Sequence, residues 1–284
     1  MQAVARGIYY EDGYTGVTLG ALAFPHGIIL IDAPLRAEDA RTWRAALNGL
    51  PSGPNRILVN LDAHLDRTIG ARALDCTIVA HQKTAQVFRN RPSVFKGQTT
   101  ESGAEWEANN DVFGARWAIP DITFTNRMHF NWGGPEVVLE HHPGPTLGSI
   151  WVSIPQAQVV FIGDTILSEQ PPFLASADLP AWIESLESLI SNCKDYTIIS
   201  GRGGAVGLDT VRAQLKLLKS ILKGMERLAK RNAPPEKTED LIASLIADMN
   251  LPIKRREQYV QRLRHGLYYY YTRRYRPVES FEQE

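Results

Sequence analysis

The chain has 284 residues, 44% of them hydrophobic and 9% aromatic, enough to bury a full core as one large domain or as one domain with a helical appendage. Lys plus Arg number 31 and Asp plus Glu number 31, so no global field draws the protein to nucleic acid or to an anionic membrane, and either partner would need a local patch. Cys76 and Cys193 give no disulfide framework, and neither a signal peptide nor a membrane-spanning run is readable, so the expectation is a soluble cytoplasmic protein.

The first two thirds of the chain alternate short β-type runs with helical segments. "VTLGALAF" (17–24) and "GIILIDA" (27–33) pattern as paired strands, with Pro and Gly marking the turn between them. A helix follows over 37–50, then the buried strand "RILVNLD" (56–62), a loop with a short helix, and the strand "DCTIVAH" (75–81). Strands alternating with helices give an α/β architecture. The stretch from about Arg89 to Pro120 has no clear period and carries Trp106 and Trp117; a long irregular segment inside a domain is a functional cover or a disordered loop. Strands resume at "DITFTN", "EVVLEHH", "SIWVSI" and "QVVFIGD".

A helix over 178–192 is capped by Asp178, has Pro180 in its first turn, and places Trp182, Leu186, Leu189 and Ile190 on one face. The strand "YTIIS" leads to "GRGG". Beyond it the pattern is helical throughout: Val211, Leu215, Leu218, Leu222 and Met225 form one apolar stripe, "EDLIASLIADM" a second and "REQYVQRLRHGLYYYYTRRY" a third, with "RNAPPEK" between the first two. The expected organisation is an α/β domain over 1–207 and a helical extension over 208–284 packed on it.

The segment "LDAHLDRTIG" (61–70) follows a strand whose carboxyl end opens onto a crevice. Asp62, His64 and Asp66, each two apart, are a cluster of N and O ligands suited to a divalent transition ion. The plain reading is a loop in which the two aspartates cap the next helix and His64 packs against a strand end. The stretch alone does not decide between them.

"DAHLDR", then "PGPT" in "EHHPGPTLGS", then "GDT" in "VVFIGDTIL", then "GRG" in "IISGRGG" resemble, in order and spacing, the landmarks of the metallo-β-lactamase superfamily. That family is recognised by a strand ending in His-x-His-x-Asp-His, a Pro-Gly-His-Thr turn, a Gly-Asp-Thr strand end and a late Gly-His-Gly. The resemblance covers roughly residues 8 to 205. It implies a four-layer αββα sandwich with extra C-terminal helices, the site lying at one edge.

The resemblance also implies where ions would sit. The first position falls on Asp62, His64 and Pro145; the second falls on Asp66, Arg67 and Arg202, with Asp164 between the two. Arginine has no lone pair, so Arg67 and Arg202 cannot be ligands and are expected to pair with Asp66 or Asp164. In the first position, Asp62, His64 and Asp164 remain, and His142 at the end of "EVVLEHH" is a candidate to replace Pro145. The alternative is that His142 only hydrogen-bonds to the loop. The expectation is at most one divalent ion, zinc first and manganese or iron next, or none.

With one ion the implied chemistry is hydrolysis of a small ester, thioester, lactone or phosphodiester, with Asp66 as base or water orienter and Arg67 or Arg202 clamping an anionic substrate. With none, the protein is a non-catalytic relative that binds an anionic ligand or partner through the same arginines. Asp32 resembles the family's supporting aspartate, and His81 is read as structural. A rival reading gives the basic, tyrosine-rich tail to nucleic acid, but tyrosines at helical spacing are expected to pack as core.

Overall fold

The computed structural model describes residues 1–96, 102–108, 114–247, 249 and 251–276. Its first sheet runs β1 (Gln2–Ala5), β2 (Ile8–Glu11), β3 (Leu19–Phe24), β4 (Gly27–Ile31), β5 (Asn55–Val59), β6 (Thr77–His81) and β7 (Ile122–Phe124) in spatial order. The second is ordered β13 (Ala205–Val206), β12 (Thr197–Ile199), β11 (Val159–Phe161), β10 (Ile150–Ile154), β9 (Val137–His141) and β8 (Arg127–Phe130).

Period-two alternation in these strands sets the layers. Leu22, Phe24, Ile29 and Ile31 of the first sheet meet Ile150, Val152, Phe161 and Ile199 of the second in one buried cluster. The intervening residues Leu19, Ala21, Ala23, Ile28 and Leu30 face outward onto Ala40, Trp43 and Leu47 of α1 (Ala37–Leu47). On the far side, Trp151, Val160, Ile162 and Ile198 pack on α3 (Leu179–Asn192), α4 (Leu208–Lys230), α5 (Ile242–Ala247) and α6 (Arg256–Tyr275). Strands covered on both faces read as continuous apolar runs, which is why β3 and β4 are buried from end to end. The result is the four-layer sandwich.

The Asp178 side chain accepts from the Ala181 N–H at 3.2 Å and caps α3, with Pro180 in the first turn. Five elements had no clear sequence signal. β1 and β2 arise from an N-terminus broken by Gly and Asp, α2 (Gln82–Asn90) lies between the expected strand ending at His81 and the irregular stretch from about Arg89, and β8 and β13 fall where no strand is expected. Within the 89–120 segment, residues 97–101 and 109–113 lie outside those described, as does Asp248 of the second helical stripe. Phe95, Trp106 and Trp117 cluster with Leu35, Leu65, Ile69 and Phe88. No helix among the described residues is long and apolar enough to cross a membrane.

Candidate active site

Four strands deliver the site from their carboxyl ends. Asp32 follows β4 and Asp62 follows β5 in the parallel part of the first sheet. Asp164 follows β11 and Arg202 follows β12, the parallel pair of the second. Strand ends in parallel register open a crevice there, and side chains from both sheets converge in it. Asp32 adopts φ 58°, a left-handed conformation that a non-glycine residue holds only when its surroundings impose it. The reason is visible: one carboxylate oxygen accepts the Leu61 N–H and the other accepts Arg67 Nη1, both at 2.9 Å.

The 61–67 loop then turns into the cluster. Asp62 Oδ1 accepts the His64 backbone N–H at 2.8 Å, closing the turn, and Asp62 Oδ2 lies 2.9 Å from His64 Nδ1. The same Nδ1 is 3.0 Å from Asp164 Oδ2. Carboxylates only accept, so Nδ1 carries the proton in this arrangement. Burial opposes a charged imidazole, but Asp62 and Asp164 outweigh it and raise His64 to about 9.

Arg67 is wholly enclosed, with 0% exposure. Its guanidinium reaches Asp32, Asp164 and, at 3.4 Å, Asp62. A Cβ on Gly201 would lie 2.6 Å from both of its terminal nitrogens, so the glycine of "GRG" makes room for it. Arg202 holds Asp66 through two bonds of 2.5 and 2.9 Å, and Asp164 through bonds of 3.0 to 3.2 Å. Asp164 thus joins both arginines and His64. Burial resists its charge, yet these three cations hold it well below the usual carboxylate range. For Asp32, burial together with Asp62 and Asp164 outweighs Arg67 and the Leu61 N–H and pushes it up to about 7.

Six of the seven site residues expected from sequence therefore come together: Asp62, His64, Asp66, Arg67, Asp164 and Arg202. The seventh, His142, does not. It sits one residue beyond β9 with its ring stacked on Trp151, centroids 3.6 Å apart and planes 14° apart. Burial there lowers it to about 4, and the stack turns it away from the gap left by Pro145. The role of Arg67 as a substrate clamp is corrected as well, because its donors face carboxylates and no part of it reaches solvent. Arg202 lines the cavity, and its guanidinium holds Asp66.

The fit of the family's ions to these residues differs between the two positions. The second position offers Asp66 beside two guanidiniums and does not fit. The first offers Asp62, His64 and Asp164, whose ligand atoms all lie within 4.8 Å of one another. Three protein ligands with a further position open is the usual arrangement of a catalytic ion.

The cluster forms the floor of a cavity of about 830 Å³, with His64, Asp66 and Arg202 in its lining. Phe173 covers the floor: its ring lies 5.1 Å from the His64 ring, 4.7 Å from the Arg202 guanidinium carbon and 4.1 Å from that of Arg262. Arg262, on α6, is 1% exposed and donates to Gly103 O, Gln170 Oε1 and Pro171 O, tying the C-terminal helix to two cover segments. No sequence signal marks Phe173 or Arg262 as part of the site. The tail's Tyr259, Tyr270 and Tyr271 are buried core. His81, read as structural, caps α2: its Nδ1 accepts the Lys83 N–H at 3.1 Å.

A model of the metallo-beta-lactamase superfamily matches residues 27–201. No curated protein matches the chain. Among solved structures, a metallo-beta-lactamase from Pontibacter korlensis superposes with a TM-score of 0.54 at 19% identity, covering 75% of this chain and 93% of that one. One from Hirschia baltica gives 0.54 at 14%, covering 75% and 94%. The stereoselective inverting sec-alkylsulfatase Pisa1 from Pseudomonas sp. gives 0.64 at 15%, covering 96% of this chain, which spans 49% of the sulfatase. At these identities the likeness is one of fold.

Proposed function

Since the chain belongs to the metallo-beta-lactamase superfamily, we propose that it keeps one of that family's two ion positions, on Asp62, His64 and Asp164, and is a hydrolase of small esters, thioesters, lactones or phosphodiesters. One observation carries this reading. Four aspartates, Asp32, Asp62, Asp66 and Asp164, are buried together with only two arginines, Arg67 and Arg202. With all four ionised, Arg67 and Arg202 leave a deficit of two. Without an ion the cluster meets it with protons, one on His64 and one on Asp32, whose carboxyl is pushed up to about 7; one divalent ion on Asp62, His64 and Asp164 would take the place of those two protons.

An ion bound there supplies Lewis-acid polarisation of a carbonyl or phosphoryl oxygen, zinc being the first choice for this donor set and manganese or iron the next. The chain's own residues do the rest. Asp66 faces the cavity and keeps a second lone pair on each oxygen beyond those given to Arg202, so it orients a water. Arg202 fixes the Asp66 carboxylate in one pose. Phe173 excludes bulk water above His64, and Arg67 braces Asp62 and Asp164 from behind.

Elemental analysis of untagged protein purified without chelator tests this. About one equivalent of zinc, manganese or iron is expected in the parent protein and little in His64→Ala. No ion in either, even after soaking in excess metal, defeats the proposal and leaves the proton on His64 Nδ1 as the permanent occupant, in a non-catalytic relative.

A further inference from the structure

The cavity above the carboxylate cluster has an electrostatic character that the chain as a whole lacks. The sequence is neutral overall. The cavity lining nevertheless includes Lys83, Arg91, Lys96, Arg202, Arg262 and Arg273, and the one carboxylate among its described residues, Asp66, is already held by Arg202. Its walls are aromatic: Phe95 meets Trp106 and Trp117 edge-on, with centroids 5.5 and 6.0 Å apart.

Arg91 stands out among the cations. It follows the last turn of α2 and is half-buried, with its guanidinium carbon 4.4 Å from the Trp117 ring and 5.1 Å from Phe88. Nη2 donates to Ala63 O at 2.7 Å, in the loop that carries His64. Nη1 is enclosed with no acceptor among the described residues, and so is Nε1 of Trp117. Arginine and tryptophan donate and never accept, so two enclosed donors at one wall call for an acceptor from outside the chain. The acceptor that Arg91 does have is a neutral carbonyl, and burial, opposed by the Asp62 charge, pulls Arg91 down to about 10.

We infer that this cavity binds an organic monoanion, a carboxylate on an apolar or aromatic body, with the anionic group on Arg91 and the body against the wall formed by Phe95, Trp106 and Trp117. This names a substrate class for the site and rests on the reading of the cavity as the substrate's place. The anionic group occupies the wall while the bond to be broken faces His64 and Asp66.

The test compares three matched probes: naphthalene carboxylate, naphthalenemethanol and naphthylmethylammonium. Binding is measured by calorimetry on the full-length protein, as purified and after removal of metal with a chelator that is then dialysed away. The parent is expected to bind the carboxylate at least tenfold more tightly than the alcohol, and the ammonium weakest. Arg91→Met, which keeps the apolar stem over Trp117, is expected to reduce that preference to about twofold with metal content unchanged. The metal-stripped parent is expected to keep the preference, which separates this inference from the proposed ion. A parent with no preference for the anion overturns the inference without any variant. So does an Arg91→Met protein that keeps the preference, or a stripped parent that loses it, since the ion would then be holding the carboxylate.

Discussion

The half of the cluster around Asp66 and the half around Asp62 begin from the same material, a carboxylate at a strand end, and reach different ends. Around Asp66, Arg202 supplies both charge and hydrogen bonds, using two donors on Asp66 and three contacts on Asp164. A guanidinium there does what an ion would do for the fold and nothing of what an ion would do for chemistry, because it has no vacant position. Around Asp62, the cation facing the carboxylates is an imidazole, which can give up its proton and become a ligand. The difference is one of exchangeability: one half is closed by a residue that never loses its charge, the other by one that can.

The largest effect that would sharpen this contrast comes from Arg67, which braces both halves from a site with no exposure. Arg67→Met leaves Asp32 without its cation and takes from Asp62 and Asp164 one of theirs, and removing one partner of a buried ion network costs about 3 to 5 kcal/mol. Urea denaturation of the metal-free protein should show that loss. A cost below about 1 kcal/mol would mean that the carboxylates simply take up protons, and the picture of a closed half would fail.

Much of this was legible in the sequence. The succession of most strands and helices along the chain, the Asp178 cap and the pairing of Arg67 and Arg202 with aspartates follow from apolar periodicity, cap chemistry and the absence of a lone pair on arginine. So does the gathering of Asp62, His64 and Asp164, once the family motif is recognised. The rest was not legible, for physical reasons. Arg91, Phe173 and Arg262 act through tertiary contacts between segments far apart in the chain; Arg262 alone donates to Gly103 O across 159 positions. His142 has a ligand's chemistry and a strand-end position, and nothing local shows that Trp151, on the paired strand β10, would capture its ring.

A smaller effect is expected from a buried histidine outside the cluster, His81. His81 is 3% exposed and neutral, its Nδ1 occupied by the Lys83 N–H and its Nε2 donating to Thr125 O at 2.6 Å. Burial, opposed by the Thr125 bond, lowers it from 6.5 to about 4. A second proton would displace the cap and sit at the positive end of α2. The folded protein therefore resists a proton that the unfolded chain accepts. Stability from this source is complete above pH 6.5 and falls as the pH drops toward 4, by about 1 to 3 kcal/mol. His81→Asn, which still caps the helix, should flatten that part of the stability curve. An unchanged acid slope would place the loss elsewhere.

The smallest effect is expected at His142. Its ring lies flat on Trp151, whose Nε1 donates to Thr165 Oγ1 at 2.9 Å, so the indole is fixed and the imidazole uses it as a platform. Phenylalanine preserves a flat ring of nearly the same size and removes both nitrogens. His142→Phe should leave stability near neutral pH within about 1 kcal/mol of the parent, since ring-on-ring contact is retained and no described hydrogen bond of the imidazole is lost. It should leave metal content untouched, because the ligand atoms of the cluster gather without it. The variant thus asks whether the half of the cluster around Asp62 is complete with three residues. If metal content falls with His142→Phe as it does with His64→Ala, the ring must leave Trp151 to join the ion, and the stack is a resting position rather than the residue's place.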